Sequence, residues 1–317
     1  MPGRAVRLAA GAAAVVIVCI VVALLLASGS PAARHTNDMD GSKLEQRMAV
    51  PAYIDPTSDP AAWAQLTGSK PGVVGIVVAN VDNGPGAQPV SAWSTAIRQS
   101  HEAGSTVLGY VDTGYLGRPN GTRPEGLATR SGSTGSAAWL KQIEGDIEAW
   151  YQYYGSDIGG IFMDESPSEC GPTAYSTLYA DEYRVLSEFV RRQQPGAVTA
   201  LNPGTAVGQC FQDSADVLVT FEGSYQAYTG GGGSPTEAYR PLGWASADPG
   251  KIWHIIYGAS SEGQLRHALA LSRSRNAGYV YVTDAVPPDP FDRLPSASYW
   301  SVEQAAGPES ELRPSTG

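Results

Sequence analysis

Short apolar runs alternate with amphipathic segments along most of the chain. Eight of these runs are predicted to be strands: residues 48–54, 73–81, 106–111, 160–163, 198–201, 217–221, 252–257 and 279–283. Uninterrupted apolar runs of this kind are typical of parallel strands that are buried on both faces. Because helical segments separate them, the pattern predicts an α/β fold, a (β/α)8 TIM barrel that forms a single domain over residues 48–307. A doubly wound sheet is the alternative, but it ordinarily has fewer strands.

The amphipathic segments predict the helices of this barrel. Helices are expected over residues 59–66, 89–102, 136–154, 173–193, 261–274 and 297–306, the first with Asp59 as N-cap and Pro60 at its first position. The helical signals after the fifth and sixth strands, near Asp213 and over residues 236–239, are weak. Two long loops, residues 113–135 and 223–235, follow the third and sixth strands, and such loops are usually functional. We expect the second to act as a mobile lid.

The N-terminal segment differs from the rest of the chain. Arg4 and Arg7 precede an uncharged apolar stretch over residues 8–27, and about 20 such residues can span a bilayer. The positive charges place the N-terminus in the cytoplasm and the body outside. We therefore predict a transmembrane anchor over residues 1–28, a flexible tether over residues 29–47 and a disordered tail over residues 308–317. A cleaved signal peptide, which would make the protein secreted, is the alternative.

Composition narrows the classes of partner. The formal net charge of −10 argues against nucleic acid and other polyanions as ligands. In an oxidising compartment, Cys170 and Cys210 are expected to form a disulfide. The chain has no HExxH, CxxC or P-loop motif, so we expect neither a metal ion nor a cofactor. We also expect a monomer.

Three acids stand where apolar runs end. The fourth predicted strand runs directly into Asp164 and Glu165, and the sixth ends in Glu222. Acids at the carboxyl ends of barrel strands are typically catalytic, and glycoside hydrolysis needs two carboxyl groups facing each other. For any one of these acids, a helix cap or a salt bridge is the structural alternative. Since adjacent strand residues point to opposite faces, Asp164 and Glu165 should differ in role, although the pattern does not say which faces inward.

Other polar and aromatic residues at strand ends are candidate substrate contacts. Alone, each is as often turn chemistry or barrel core as a ligand contact. The set comprises Tyr53, Asn80, Tyr110, Asp112, Tyr115, Asn202, Tyr257 and Asp284.

These motifs resemble the spherulin-4-like family. The resemblance rests on residues 51–57 (PAYIDPT), Asn80 with 84–86 (GPG), 109–115 (GYVDTGY), 160–165 (GIFMDE), 202–205 (NPGT) and 221–222 (FE). It implies a (β/α)8 glycoside hydrolase whose fungal members are membrane-anchored and cleave galactosaminogalactan, a polymer that contains α-1,4-linked N-acetylgalactosamine. The residues that match the family's active-site acids are Asp164, Glu165 and Glu222.

Together these features predict an enzyme that cleaves within an amino-sugar exopolysaccharide. We assign Asp164 as nucleophile or charge stabiliser and Glu222 as general acid/base, while Glu165 would position the substrate or tune the pKa of its neighbour. A retaining mechanism is favoured by analogy with other barrel hydrolases. The alternative is a non-catalytic, cell-surface polysaccharide-binding protein on the same barrel scaffold.

Overall fold

Eight parallel strands form a closed barrel in the computed structural model, which describes residues 46–119, 126–232, 237–244 and 248–305. Each strand pairs with the next, and β8 returns to β1 through Tyr279 opposite Arg47 and Val280 opposite Met48. The strands are β1 (Arg47–Ala52), β2 (Val74–Ala79), β3 (Thr106–Asp112), β4 (Gly160–Asp164), β5 (Val198–Leu201), β6 (Val217–Ser224), β7 (Ile252–Tyr257) and β8 (Tyr279–Val282). The predicted (β/α)8 barrel is confirmed.

The helices follow the predicted order with two corrections. They are α1 (Pro60–Thr67), α2 (Ser91–Glu102), α3 (Ser136–Tyr154), α4 (Leu178–Gln193), α5 (Tyr225–Thr229), α6 (Glu262–Ser274) and α7 (Ala297–Ala305). Asp59 caps α1 as predicted, accepting a hydrogen bond from the Ala62 amide at 3.0 Å. The segment after β5 forms only a 3-10 turn, Gln209–Asp213, and α4 begins at Leu178 rather than at residue 173.

The second correction concerns the helix after β6. The prediction of a helix over residues 236–239 is wrong in its described part, since residues 237–239 form a turn. A short helix, α5, instead begins directly after β6, because Ser224 accepts a hydrogen bond from the Ala227 amide at 3.1 Å and caps it. The predicted lid therefore begins as strand and helix, and its residues 233–235 lie outside the described residues.

Ring contacts show which side chains fill the barrel. Phe162 on β4 contacts Trp253 on β7 with ring centroids 5.5 Å apart, although these strands are not neighbours in the sheet. Both rings therefore lie inside the barrel. Since side chains alternate along a strand, Asp164 shares the interior side with Phe162, and Met163 lies on the opposite side.

A bulge in β6 decides the side on which Glu222 lies. Val219 pairs with Trp253, but Phe221 pairs with the next residue, His254, so that Thr220 is an extra residue in the strand. Phe221 packs outward against Tyr228 of α5, with ring centroids 4.7 Å apart. The strand's alternation therefore resumes one residue later, and Glu222 faces the interior like Asp164.

No helix in the described ranges is long and apolar enough to cross a membrane. The predicted anchor, the predicted tail and all but the last two residues of the predicted tether lie outside these ranges. The barrel begins with Arg47, the last residue of that tether, at the start of β1.

Candidate active site

One amide group joins the two interior acids. Asn202, directly after β5, donates hydrogen bonds from Nδ2 to Asp164 Oδ1 at 2.8 Å and to Glu222 Oε2 at 2.6 Å. The two carboxylate oxygens therefore lie no further apart than the sum of these two lengths. Three consecutive strands, β4, β5 and β6, thus bring Asp164 and Glu222 together at the carboxyl end of the barrel.

A tyrosine fixes the other oxygen of Asp164. The hydroxyl of Tyr110, on β3, donates to Asp164 Oδ2 at 2.8 Å. Burial raises the pKa of Asp164, whereas the hydrogen bonds from Tyr110, from the backbone and from Asn202 lower it. Because both carboxylate oxygens accept hydrogen bonds from neutral donors, Asp164 is held in one orientation and its ionised form is favoured by its neighbours.

Glu222 has the more perturbed carboxyl group. Burial raises the pKa of Glu222 to about 7, the nearby charge of Asp164 adds to the rise, and the hydrogen bond from Asn202 opposes it. Near neutral pH a large fraction of Glu222 therefore carries a proton. A protonated carboxyl group beside a carboxylate is the arrangement that general acid catalysis with a nucleophilic or stabilising partner requires.

Glu165 lies at a strained turn, unlike Asp164. Its φ of 51° places the backbone in the left-handed region, which non-glycine residues rarely adopt. The Glu165 carbonyl oxygen accepts hydrogen bonds from the Tyr115 amide at 2.8 Å and from Thr113 Oγ1 at 3.0 Å. Thr113 Oγ1 also contacts the Asp164 carbonyl oxygen at 2.6 Å. The two adjacent acids therefore have unequal surroundings, and Thr113 holds the turn between them.

We expect Thr113→Val to lower kcat about tenfold, because loss of the hydroxyl releases the carbonyl groups on both sides of the Asp164–Glu165 peptide bond. Thr113 is fully buried, and its hydroxyl also bonds to the Tyr183 hydroxyl at 2.7 Å. Steady-state kinetics on the same substrate measure the change. An unchanged kcat in a folded Thr113→Val protein would contradict the role.

Thr199→Val is the matched control for that experiment. Thr199 is equally buried and donates to Asp216 Oδ2 at 3.0 Å, but it lies near the start of β5, at the other end of the barrel. Either substitution should reduce the free energy of unfolding by about 1–3 kcal/mol. Only Thr113→Val should alter kcat.

Aromatic residues surround the two acids. Tyr53 contacts the edge of Tyr110, with ring centroids 5.4 Å apart. Burial, followed by the charges of Asp164 and Glu222, raises the pKa of Tyr53 well above its ordinary value, which places it near both acids. Tyr257, at the end of β7, lines a cavity of about 230 Å³ together with Glu222. Tyr53, Tyr110, Asn202 and Tyr257 are thus the sequence candidates that lie around the acid pair.

Asn80 and Asp284 have loop contacts instead. Asn80 Oδ1 accepts a hydrogen bond from the Gly84 amide at 3.0 Å, which closes the turn after β2. Asp284 forms an ion pair with Arg293 at 3.2 Å in the segment after β8. A role for either residue in contacting substrate stays a prediction.

Asp112 and Tyr115 lie next to the acids without contacting the Asn202 bridge. Asp112 pairs with Asp164 in the β3–β4 register, and its Oδ1 accepts from the Gly114 amide at 2.8 Å. Tyr115 has a left-handed backbone, φ 52°. Within the described ranges, no group of three or more His, Cys, Asp or Glu side chains is placed to hold a metal ion.

The predicted disulfide is confirmed. Cys170 and Cys210 are bonded, joining the loop after β4 to the loop after β5. Gly208 lies against it, since a Cβ at this position would be 2.9 Å from Cys170 Sγ. The loops that follow Asp164 and Asn202 are therefore linked covalently.

Two residues of the site were not among the sequence candidates. Thr113 looked like the first residue of a long loop, and the left-handed Gly114 that follows was the only hint of a tight turn. Glu237 lay inside a predicted helix, yet it lines the same cavity as Glu222. No signal in the sequence connects Glu237 with β6.

Comparison with known proteins gives the family. Residues 47–305 match the Spherulation-specific family 4 profile. Spherulin-4 of Physarum polycephalum is 26% identical over 178 residues, which are 56% of this chain and 44% of that protein, so the chain spans less than half of this relative. The crystal structure of Aspergillus clavatus Sph3 in complex with GalNAc superposes with a TM-score of 0.61 at 21% identity, covering 83% of this chain and 98% of that one. At that identity the structure shows a shared fold. The chain belongs to the Spherulation-specific family 4.

Proposed function

We propose that this protein is a glycoside hydrolase that cleaves within an amino-sugar exopolysaccharide, a polymer of α-1,4-linked N-acetylgalactosamine and galactosamine. The observation that carries the proposal is the acid pair: Asp164 and Glu222 share the Nδ2 group of Asn202 at the carboxyl end of the barrel. Membership of the family and the fold shared with Sph3, which was crystallised with GalNAc, support this class of substrate.

The geometry favours a retaining mechanism. Retaining enzymes hold their carboxyl groups about 5–5.5 Å apart, whereas inverting enzymes need about 6.5–9.5 Å to admit a water molecule. The hydrogen bonds from Asn202, 2.8 and 2.6 Å long, keep the nearest oxygens of Asp164 and Glu222 within the retaining range.

In this mechanism, Glu222 donates its proton to the glycosidic oxygen as that bond to the anomeric carbon breaks. Asp164 forms a bond to the same carbon from the opposite face. Glu222, now ionised, then takes a proton from water, which attacks the anomeric carbon and releases the sugar from Asp164. Glu165 would position the sugar or tune the pKa of Asp164.

The activity should peak in mildly acidic solution and fall as the pH rises through about 7. Above this value, Glu222 loses the proton that it has to donate, because its pKa is raised to about 7. On the acidic side, activity should fall when Asp164 becomes protonated, and the raised pKa of Asp164 moves this limb above the usual range of an aspartate. The dependence of kcat/KM on pH measures both limbs. Activity that is constant from pH 6 to 9 would contradict the assigned roles.

A substrate panel tests the proposed function. Purified protein is incubated with α-1,4-linked N-acetylgalactosamine polymer, its deacetylated form and other α-linked glycans, and the release of reducing ends is measured. We expect release from the amino-sugar polymers only. Binding without release would instead support a non-catalytic polysaccharide-binding protein. Proton NMR of the first product tests retention, since a new α-anomer must appear before mutarotation.

An extracytoplasmic location fits this function. The disulfide between Cys170 and Cys210 is typical of proteins in oxidising compartments. Anchoring through residues 1–28 stays a proposal, and fractionation of cells that express the full chain would test it.

A further inference from the structure

The cavity beside Glu222 has carboxylates on two sides. Its walls include Glu222 at the end of β6, Tyr257 at the end of β7, Gly204 after β5, and Glu237. No described lysine, arginine or histidine lines it. Burial and then the negative charges of Glu222 and Glu237 raise the pKa of Tyr257, which shows that both acids act on the same space.

An aromatic clamp holds the segment that carries Glu237. Two residues further on, the Tyr239 ring lies 3.8 Å below the guanidinium of Arg275, which also covers the Tyr228 ring at 4.2 Å. The Tyr239 amide donates to the Ala227 carbonyl oxygen at 3.3 Å. Tyr239 therefore fastens this segment to α5 and α6, next to the end of β6 that bears Glu222.

A second anchor and a buried histidine complete the clamp. Trp244 donates from Nε1 to the Val207 carbonyl oxygen at 2.9 Å, on the loop after β5. His254, under Tyr239, bonds to the Tyr228 hydroxyl at 2.8 Å, and burial lowers its pKa to about 3. This histidine is therefore neutral at physiological pH, so the support below Glu237 does not change charge there.

An unpaired acceptor lies on another side of the cavity. Asn202 Oδ1 is buried and has no hydrogen-bond partner among the described residues, since both carboxylate bonds of this side chain use Nδ2. It lies 3.8 Å from the position that a Cβ on Gly204 would occupy, so it faces the wall that Gly204 forms. The side chain of Asn202 is itself more than nine-tenths buried.

The surroundings of this cavity suit a small cation with several N–H donors. Two carboxylates attract positive charge, and a carboxylate without a paired cation gains most from a charge-assisted hydrogen bond. A protonated primary amine offers three donors, whereas an acetamido group offers one donor and no charge. An amino-sugar polymer presents one or the other at each residue, according to its acetylation.

We propose that Glu237 is a specificity-determining residue that binds the protonated amino group of a deacetylated sugar beside the bond that is cut. The proposal rests on the proposed function and narrows it: the preferred substrate is a partly deacetylated polymer, with a free amine in the position next to Glu222. Glu237 binds substrate and takes no part in proton transfer.

Glu237→Gln tests the proposal because it removes the charge and keeps the size of the side chain. Binding of short α-1,4-galactosamine oligosaccharides, either fully deacetylated or fully N-acetylated, is measured by calorimetry, and their hydrolysis is measured in parallel. We expect the Kd for the deacetylated ligand to rise about tenfold, while that for the acetylated ligand stays within about twofold. KM should follow Kd, with kcat little changed.

Glu188→Gln is the matched control, since Glu188 lies exposed on α4 and pairs only with Arg184 at 3.3 Å among the described contacts. It should bind both ligands as the wild type does. Equal Kd values of Glu237→Gln and wild type for the deacetylated ligand, or an equal loss for both ligands, would overturn the proposal. Selective weakening without any hydrolysis by the wild type would support it and refute the proposed function instead.

Discussion

Replacing Glu222 with glutamine should lower kcat by about three orders of magnitude, because glutamine has no proton to donate to the glycosidic oxygen. The side chain keeps its size, and its amide oxygen can still accept the hydrogen bond from Asn202. Release of reducing ends by equal amounts of the two proteins measures the loss. Glu188→Gln, the same substitution on the outer surface of α4, should retain wild-type activity.

Stability separates this chemical effect from unfolding. The folded protein holds the Glu222 proton up to a pH of about 7, against an ordinary value of 4.5 for a glutamate. A carboxyl group whose folded-state pKa is raised makes folding less favourable as the pH rises through that window. Glutamine does not titrate, so Glu222→Gln should be at least as stable as the wild type at pH 8. A folded variant that keeps a tenth of wild-type kcat would contradict the role of Glu222.

Replacing Gly160 with alanine should destabilise the barrel by at least about 3 kcal/mol or prevent folding altogether. Gly160 begins β4, and a Cβ there would lie 1.8 Å from the Val198 carbonyl oxygen on β5. The clash is with backbone on one side and with the Leu108 side chain, at 2.9 Å, on the other, so the strands have to separate. Denaturant-induced unfolding, followed by tryptophan fluorescence, measures the loss.

Gly145→Ala provides the control for that substitution. Gly145 lies within α3, and a Cβ there would have no neighbour within 4 Å. Alanine is a better helix former than glycine, so the free energy of unfolding should rise by about 0.5–1 kcal/mol. If Gly160→Ala unfolds at the same denaturant concentration as the wild type, the close approach of β4 to β5 is not as described.

The strands were predictable because the barrel buries each of them on both faces. Uninterrupted apolar runs gave β5 and β7 their observed bounds, and the other strands differ by up to three residues at either end. The helix after β6 was not predictable from hydrophobic periodicity. Its five residues, Tyr225–Thr229, are too few to show a periodic pattern, and Ser224 begins it through a cap that only the fold brings into place.

The site was predictable at the level of strand ends and no further. Asp164 and Glu222 stand out because each ends an apolar run, but the sequence does not reveal that Thr220 is an extra residue in β6. That bulge arises from pairing with β7, and without it Glu222 would face the helices. The bridge through Asn202 and the placement of Glu237 likewise depend on contacts between distant segments.

The most direct test compares the wild type, Asp164→Asn and Glu222→Gln on α-1,4-linked N-acetylgalactosamine polymer and on its partly deacetylated form. Reducing ends are counted over time, and circular dichroism verifies that all three proteins are folded. We expect release by the wild type and almost none by either variant. Equal release by all three proteins, or none by the folded wild type, would contradict the assignment of this carboxyl pair as the centre of a glycoside hydrolase.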